Sequence, residues 1–301
     1  MTHPENLPQH APLDAPWLAD VVRRALDEDL GGYPGRDVTT FATIPADAVV
    51  TGSLVMRQEG VVAGLAIARE VVAQVAHRFD LPEPTVTERV ADGAHVEPGT
   101  VLAHIAGVGH VVLVAERTIL NLMSRACGVA THTRLWVDAL EGTGARVLDT
   151  RKTTPTLREL DKYAVRCGGG TNKRFGLNDV AMVKDNHIVA AGSVAGAIDA
   201  IRQRFPEVPI QVEVENTDQA FDALDAGVDF LMIDNMAPGA MAELVSAIRA
   251  AEPRYGRVWL EATGGLTVNS VRAVAEAGVD FMSVGALTHS SPIIDIGLDL
   301  S

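Results

Sequence analysis

The chain has 301 residues, of which 47% are hydrophobic and only 4% aromatic, and its formal net charge is −14. This composition excludes a disordered chain and predicts a largely aliphatic core, as in parallel strands covered by helices. The negative charge disfavours binding to nucleic acid or to an anionic membrane. Residues 1–16 lack the apolar segment of a signal peptide, and no apolar run approaches the ~20 residues that span a bilayer, so we expect a cytoplasmic protein.

The N-terminal part of the chain predicts an α+β unit. Apolar residues at helical spacing predict an amphipathic helix from Pro16 to Leu30, which Gly31-Gly32 ends. A second helix is predicted over Val61–Phe79, and Asp92–Gly99 is predicted to be a turn between strands. The predicted strands here are Val49–Arg57, Thr85–Val90 and Thr100–Ile105.

The pattern changes after residue 110. Val111 to Leu140 is strongly helical and is predicted to form two helices broken near Gly128. Short apolar strands then alternate with helices, which predicts βαβ units and a parallel α/β-barrel. The six predicted strands are Arg146–Asp149, Ala181–Lys184, Ile210–Val214, Phe230–Ile233, Val258–Glu261 and Phe281–Val284. A full barrel has eight such units, so this one is incomplete or two strands are missed.

All six predicted strands end in polar residues, at the edge where parallel barrels place their active sites. Residues 151–184 carry eight basic and three acidic residues, an excess of positive charge in an acidic chain. Arg158, Lys162 and Arg166 are interpreted as a solvated helix face. Arg151, Lys152 and Lys184 instead follow or end strands, which predicts a pocket for a substrate with several negative charges.

Glycines and carboxylates complete the predicted site. Two short segments, Thr263-Gly264-Gly265 and Ser283-Val284-Gly285, each lie between a strand and a predicted helix, where backbone N–H groups commonly bind phosphate. Glu213 and Asp234 end neighbouring strands and are predicted to hold Mg²⁺ or sugar hydroxyls. The alternative is that they balance the charge of Lys152 or Lys184, and both can hold at once.

The chain resembles the quinolinate phosphoribosyltransferase family in several motifs that occur in the family's order. The motifs run over Glu116–Asn121, Asp149–Pro155, Lys162–Gly170, Lys184–His187, Glu213–Asn216, Met232–Asn235, Glu261–Gly265 and Ser283–His289. The resemblance implies transfer of phosphoribose from phosphoribosyl pyrophosphate to quinolinate with Mg²⁺, releasing pyrophosphate and CO2 and forming nicotinate mononucleotide. It also implies an N-terminal α/β sandwich, an incomplete TIM-like α/β-barrel and a homodimer, or a multiple of one, with shared active sites.

The resemblance implies a domain order and a role for each motif residue. We expect an N-terminal domain over 1–128, a barrel over 129–288, and a C-terminal segment over 289–301 that returns to the N-terminal domain. The residues implied to bind quinolinate are Arg117, contributed by the partner subunit, with Arg151, Lys173 and Arg174. Those implied to bind the phosphates are Lys152, Lys184, Thr263, Gly264, Gly265, Ser283 and Gly285. Lys152, Lys184, Glu213 and Asp234 are implied to be catalytic, with Glu213 and Asp234 also holding the metal.

Two positions depart from the family pattern, and three rival functions stay open. The family usually has glycine where this chain has Thr156, and histidine where it has Lys173. One rival is phosphoribosyl transfer to another aromatic acid, and another is a barrel aldolase that forms a Schiff base on Lys184. The third is a non-enzymatic biotinyl or lipoyl carrier built around the turn at Asp92–Gly99, although no lysine stands at its tip. Cys127 and Cys167 are predicted to be free thiols, Cys127 in the core.

Overall fold

The structure is a computed structural model that describes residues 11–301. Most of residues 1–16, expected from the sequence not to be a signal peptide, therefore lies outside the described residues. Within them the chain forms two compact units. The N-terminal unit comprises residues 11–134, 153–169 and 287–301, and the barrel unit comprises residues 135–152 and 170–286. The domain boundaries expected from the sequence, after residues 128 and 288, stay predictions.

Helices and strands are numbered in chain order. The helices are α1 (Ala15–Leu30), α2 (Thr40–Thr43), α3 (Leu65–Phe79), α4 (Gly109–Ala139), α5 (Arg158–Cys167), α6 (Asp185–Ala191), α7 (Val194–Arg204), α8 (Thr217–Asp225), α9 (Pro238–Tyr255), α10 (Val268–Glu276) and α11 (Ala286–His289). The strands are β1 (Val49–Met56), β2 (Gly60–Val61), β3 (Thr85–Glu88), β4 (His95–Val96), β5 (Val101–Val108), β6 (Arg146–Leu148), β7 (Ala181–Val183), β8 (Ile210–Val214), β9 (Phe230–Asp234), β10 (Trp259–Thr263), β11 (Phe281–Ser283) and β12 (Ile296–Leu300). None of the helices within residues 11–301 is both long and apolar enough to cross a membrane.

The N-terminal unit is built on an antiparallel sheet in the order β12-β1-β5-β3. Its last strand comes from the C-terminus of the chain, with Ile296 opposite Met56 and Leu300 opposite Gly52. The predicted amphipathic helix α1 is confirmed, and its ends have physical causes. The side chain of Asp14 accepts a hydrogen bond from the Trp17 N–H at the first turn, and Gly31 ends the helix with a left-handed φ of 74°.

Helix α4 runs without a break from Gly109 to Ala139, so the prediction of two helices is wrong. Gly128 is needed for packing rather than for a break. A Cβ atom at this position would clash with the Pro292 carbonyl group, whose carbon would lie 3.1 Å away. The glycine therefore lets the C-terminal segment lie against the helix backbone, and a helix tolerates one such residue at a cost of about 1 kcal/mol.

The barrel unit contains the six predicted strands as one parallel sheet in the order β6-β11-β10-β9-β8-β7. The sheet curves, because side chains from both of its end strands pack on one interior cluster. The cluster consists of Leu148, Phe230, Met232 and Phe281, with Met182 and Trp259 packed against it. The predicted incomplete α/β-barrel, with a separate N-terminal α+β domain, is thus confirmed.

Candidate active site

Several predicted site residues of the barrel unit lie along one edge of its sheet. Arg151 follows β6, Lys184 follows β7, and Thr263 ends β10. These strands are parallel members of the same sheet, so their carboxyl ends face the same way. The structure therefore brings the basic residues and the glycine segments to one edge, where a small anionic substrate can contact both.

Two arginines form the basic part of this edge. Arg151 and Arg174 are both half-buried, and Nη1 of Arg174 donates to the Val180 carbonyl at 2.8 Å. Burial lowers the pKa of Arg174, and the positive charge of Arg151 lowers it further. The two guanidinium groups repel each other, and an anion bound between them would relieve the repulsion. Each guanidinium also offers the paired donors that match a carboxylate.

Lys184, which follows β7, and Glu213 on the neighbouring strand β8 form an ion pair. The Glu213 side chain is only 10% exposed, whereas that of Lys184 is 45% exposed. The backbone N–H of Lys184 donates to Nδ1 of His187 at 3.0 Å, so His187 supports the start of α6. In the structure Glu213 therefore balances the charge of Lys184, which is one of the two roles predicted for it. The other role, binding ribose or metal, stays a prediction.

Lys173 occupies the interior of the barrel rather than its open edge. Its Nζ lies 2.6 Å from both carboxylate oxygens of Glu261, 3.1 Å from Sδ of Met232 and 3.5 Å from Oγ of Ser283. The Lys173 side chain is 7% exposed and that of Glu261 is fully buried. Burial lowers the pKa of Lys173, and the charge of Glu261 opposes this effect. Sequence analysis predicts a quinolinate contact for Lys173, and in the structure its ammonium group instead donates to a buried carboxylate.

Asp149 holds the backbone of the same segment. It is fully buried, and its two oxygens accept from Nδ2 of Asn172 at 2.6 Å and from the backbone N–H of Lys173 at 2.8 Å. A parallel bridge between Leu148 and Thr171 fixes this segment beside β6. Arg151 and Arg174 therefore lie on two backbone segments that the buried Asp149 carboxylate links by hydrogen bonds.

The glycine segment after β10 forms a tight turn with two consecutive positive φ values. Gly264 and Gly265 have left-handed φ values of 85° and 60°. A Cβ on Gly264 would lie 2.6 Å from Cγ of Asn235 and 2.8 Å from Oδ1 of Asp234, so only glycine fits there. The turn that carries the predicted phosphate contacts therefore lies directly against the predicted ribose and metal residue, Asp234.

The donor set at this edge fits Mg²⁺ only in part. The half-buried Asp234 carboxylate accepts from Nδ2 of Asn235 at 3.1 Å, and Glu213 is already paired with Lys184. Within residues 11–301 there is no group of three or more His, Cys, Asp or Glu side chains arranged to hold a metal. Mg²⁺ characteristically binds through one or two carboxylates together with substrate phosphates and water. Asp234 and Glu213 are the carboxylates that this site offers.

The remaining predicted residues have different locations. Arg117 lies on α4 in the N-terminal unit, with its side chain 64% exposed. Lys152 is exposed after β6, and Ser283 is buried near Lys173. Lys162, interpreted from the sequence as solvated, is 2% exposed, so that interpretation is wrong. The polar helix α5 buries one side in the N-terminal unit, and the pattern of charges alone does not reveal which side that is.

Three residues that shape the site have no role predicted from the sequence. Asp149 and Glu261 stand at the ends of predicted strands, and Asn235 follows Asp234. One signal was present: Trp259, Glu261 and Thr263 alternate along β10. If Trp259 faces the interior, then so does Glu261, and a buried carboxylate needs a cationic partner.

Comparisons with known proteins place the chain in a family. Residues 37–127 match the N-terminal domain, and residues 129–299 the C-terminal domain, of quinolinate phosphoribosyl transferase. A carboxylating nicotinate-nucleotide pyrophosphorylase from Mycobacterium leprae is 46% identical over 93% of this chain and 96% of its own. A chloroplastic protein of the same name from Arabidopsis thaliana is 37% identical over 97% of this chain and 84% of its own. The solved structure of the Francisella tularensis nicotinate-nucleotide pyrophosphorylase has a TM-score of 0.85 and 34% identity, covering 97% of this chain and 98% of its own.

Both family domains are thus present in one chain, in the family's order and over most of its length, and they carry the motifs that form the basic edge of the barrel. The chain belongs to the quinolinate phosphoribosyl transferase family.

Proposed function

We propose that this chain transfers the phosphoribosyl group of phosphoribosyl pyrophosphate to the ring nitrogen of quinolinate, with release of pyrophosphate and CO2 and formation of nicotinate mononucleotide, a step of NAD biosynthesis. Relatives that match nearly the whole chain are named as carboxylating nicotinate-nucleotide pyrophosphorylases. The observation that carries the proposal is that Arg151, Lys184 and the Gly264 turn all follow parallel strands of one sheet, so basic side chains and a glycine turn lie at the same edge of the barrel. A dicarboxylate and a sugar phosphate need these two kinds of contact.

The chemistry divides between two sets of side chains. Departure of pyrophosphate leaves a ribose with oxocarbenium character, which the carboxylates of Glu213 and Asp234 stabilise. Lys152 and Lys184 stabilise the charge of the leaving group. Holding the pyridine nitrogen against the sugar carbon contributes up to about 7–11 kcal/mol by making the reaction unimolecular. The bond between the ring carbon and its carboxylate then breaks to release CO2. The electron pair stays on that carbon, stabilised by the adjacent positive nitrogen, and the carbon takes a proton from solvent, so no protein nucleophile is needed.

We assign the substrate contacts by residue class. Arg151, Arg174 and the partner's Arg117 serve the two quinolinate carboxylates. The 5′-phosphate lies on Thr263, Gly264, Gly265, Ser283 and Gly285, where the left-handed turn presents backbone N–H groups. Asp234 and Glu213 are the residues that would hold Mg²⁺, which when bound would neutralise phosphate charge.

We further propose that the enzyme is a cytoplasmic homodimer, or a multiple of one, in which Arg117 of one subunit completes the site of its partner. The exposure of Arg117 on α4 supports this assignment, since its side chain is 64% exposed. Arg117→Ala and Arg151→Ala are each expected to abolish activity. Subunit exchange between the two inactive variants is expected to restore some activity, because one site of each mixed dimer retains both arginines. Mixed dimers that show no recovery would rule out a shared site.

The proposed reaction is tested by a Mg²⁺-dependent assay. Purified protein with quinolinate and phosphoribosyl pyrophosphate is expected to form nicotinate mononucleotide and CO2 in equal amounts. Parallel reactions with nicotinate and other pyridine acids separate this function from transfer to a different aromatic acid. Borohydride treatment in the presence of a carbonyl substrate would trap an adduct on Lys184 if the protein were an aldolase.

A further inference from the structure

The Lys173–Glu261 ion pair lies below the reacting edge of the barrel. Lys173 comes from the segment that crosses next to β6, whereas Glu261 lies on β10, 88 residues further along the chain. Both side chains are nearly or fully buried, and Lys173 contacts Met232, a member of the barrel's hydrophobic cluster. A buried charge pair at this depth is retained only where both partners remain well paired, because either charge alone is costly.

The donors of Lys173 are directed at groups of the protein itself. An ammonium group has three N–H bonds. Among the described residues, its partners include the Glu261 carboxylate at 2.6 Å, the Met232 thioether at 3.1 Å and the Ser283 hydroxyl at 3.5 Å. The charge of Lys173 is therefore balanced inside the barrel.

The pair also fixes the chain on either side of Lys173. The backbone N–H of Lys173 donates to Asp149, and its side chain is anchored by Glu261, so this residue is held at both ends. Arg174 is the next residue along the chain, and Arg151 follows Asp149 by two positions. A shift of the segment around Lys173 would therefore move Arg174 relative to Arg151.

We infer that Glu261 is a positioning residue of the proposed transferase reaction, which holds Lys173 and thereby places Arg174 opposite Arg151 to receive the two carboxylates of the pyridine substrate. Lys173 then acts through its position and not by direct contact with the substrate. The inference rests on the proposed function and adds to it the residue that sets the geometry of quinolinate recognition. A direct contact between Lys173 and quinolinate makes the opposite prediction for Glu261, since removing Glu261 would release the lysine to bind.

Three variants separate the two roles: Lys173→Met, Glu261→Met and the double variant Lys173→Met/Glu261→Met. Each single change leaves one buried charge without its partner, whereas the double change replaces the pair with apolar side chains of similar volume, which proteins tolerate well. The KM for quinolinate, the KM for phosphoribosyl pyrophosphate and kcat are measured for each variant. Each single variant is expected to raise the KM for quinolinate by about 10- to 100-fold, since a shift of about 1 Å in a positioned group has effects of this size.

The expected pattern is recovery in the double variant. Its KM for quinolinate should fall well below that of either single variant, while the KM for the sugar donor changes little throughout. A general loss of folded protein would lower kcat and leave both KM values unchanged, so it does not imitate this split. Asp280→Asn is the matched control. It neutralises a partly buried carboxylate at the amino end of β11, where Asp280 pairs with Arg249, and should leave both KM values unchanged.

The inference is overturned if Glu261→Met leaves the KM for quinolinate unchanged or lowers it, or if the double variant is as impaired as Lys173→Met. Glu261→Gln keeps the shape of the side chain, and it replaces Glu261→Met if thermal melting shows that the methionine variant does not fold. An inactive wild-type protein would overturn the proposed function itself. An active wild type in which the two single effects simply add would overturn only the positioning role.

Discussion

Thr156 adopts a backbone conformation that suits glycine, and this makes Thr156→Gly a direct test of local strain. Its φ is 67°, in the left-handed region that β-branched residues rarely adopt. The N–H of Leu157 donates to the carbonyl of Thr154 at 3.1 Å, which closes a turn with Pro155 in its second position. Proline second and positive φ third is the type II pattern, whose third position favours glycine.

The magnitude follows from two opposing effects. Holding an L-residue in the left-handed region costs about 1–2 kcal/mol. Glycine relieves that strain, but its greater freedom in the unfolded chain offsets about 0.4–1 kcal/mol. The Thr156 side chain is exposed, so its removal loses little packing. We therefore expect Thr156→Gly to stabilise the protein by roughly 0.5–1 kcal/mol, which raises the melting temperature by about 1–4 °C.

Thermal melting followed by circular dichroism measures this effect, with all variants under identical buffer and heating rate. Thr156→Ala is the matched control, because it removes the β-branch but keeps the Cβ atom that causes most of the strain. It should melt much closer to the wild type than Thr156→Gly does. A glycine variant that melts at or below the wild-type temperature would show that the turn is not strained as described.

Four further outcomes are expected. Gly264→Ala places a methyl group against Asp234, and it should lower kcat/KM for phosphoribosyl pyrophosphate on the order of 100-fold, or about 2.7 kcal/mol; steady-state kinetics would refute the fit if the loss were under about threefold. Asp234→Asn should weaken the dependence of activity on Mg²⁺, and an unchanged magnesium titration would contradict its assignment. Gly128→Ala should destabilise the protein by about 1–3 kcal/mol in denaturant unfolding, because the added methyl group meets the Pro292 carbonyl; equal midpoints would refute this. Burial raises the pKa of the Cys127 thiol to about 12, so native protein at pH 8 should resist alkylation there, and rapid labelling seen by mass spectrometry would disagree.

The low reactivity expected for Cys127 follows from the protonation state of its thiol. Alkylation requires the thiolate, and burial in an apolar region disfavours that form. At pH 8 the Cys127 thiol is far below its pKa and stays protonated, and reactivity should rise only as the pH approaches about 12. Cys167 has its pKa raised to the same region by burial and by the charge of Asp92, so it should behave alike.

Much of the fold could be predicted from the sequence because its signals are local. Each of the six barrel strands is a short apolar run bounded by turn residues, and the predicted strands agree with β6–β11 to within two residues. The helix break predicted at Gly128 is wrong, because this glycine instead makes room for Pro292, which lies far along the chain. A glycine in a helical sequence looks the same whether it ends a helix or admits a neighbour.

The sequence by itself determined the family, the order of strands and helices, and the set of charged residues at the strand ends, since each depends on residue types at short spacing. Only the tertiary structure decided which charges meet. Lys173 and Glu261 lie 88 residues apart, and their pairing depends on how the sheet curves and which side chains face its interior. Burial then governs the outcome: a lysine near water offers its charge to a ligand, whereas a lysine inside the barrel must have a carboxylate of the protein beside it.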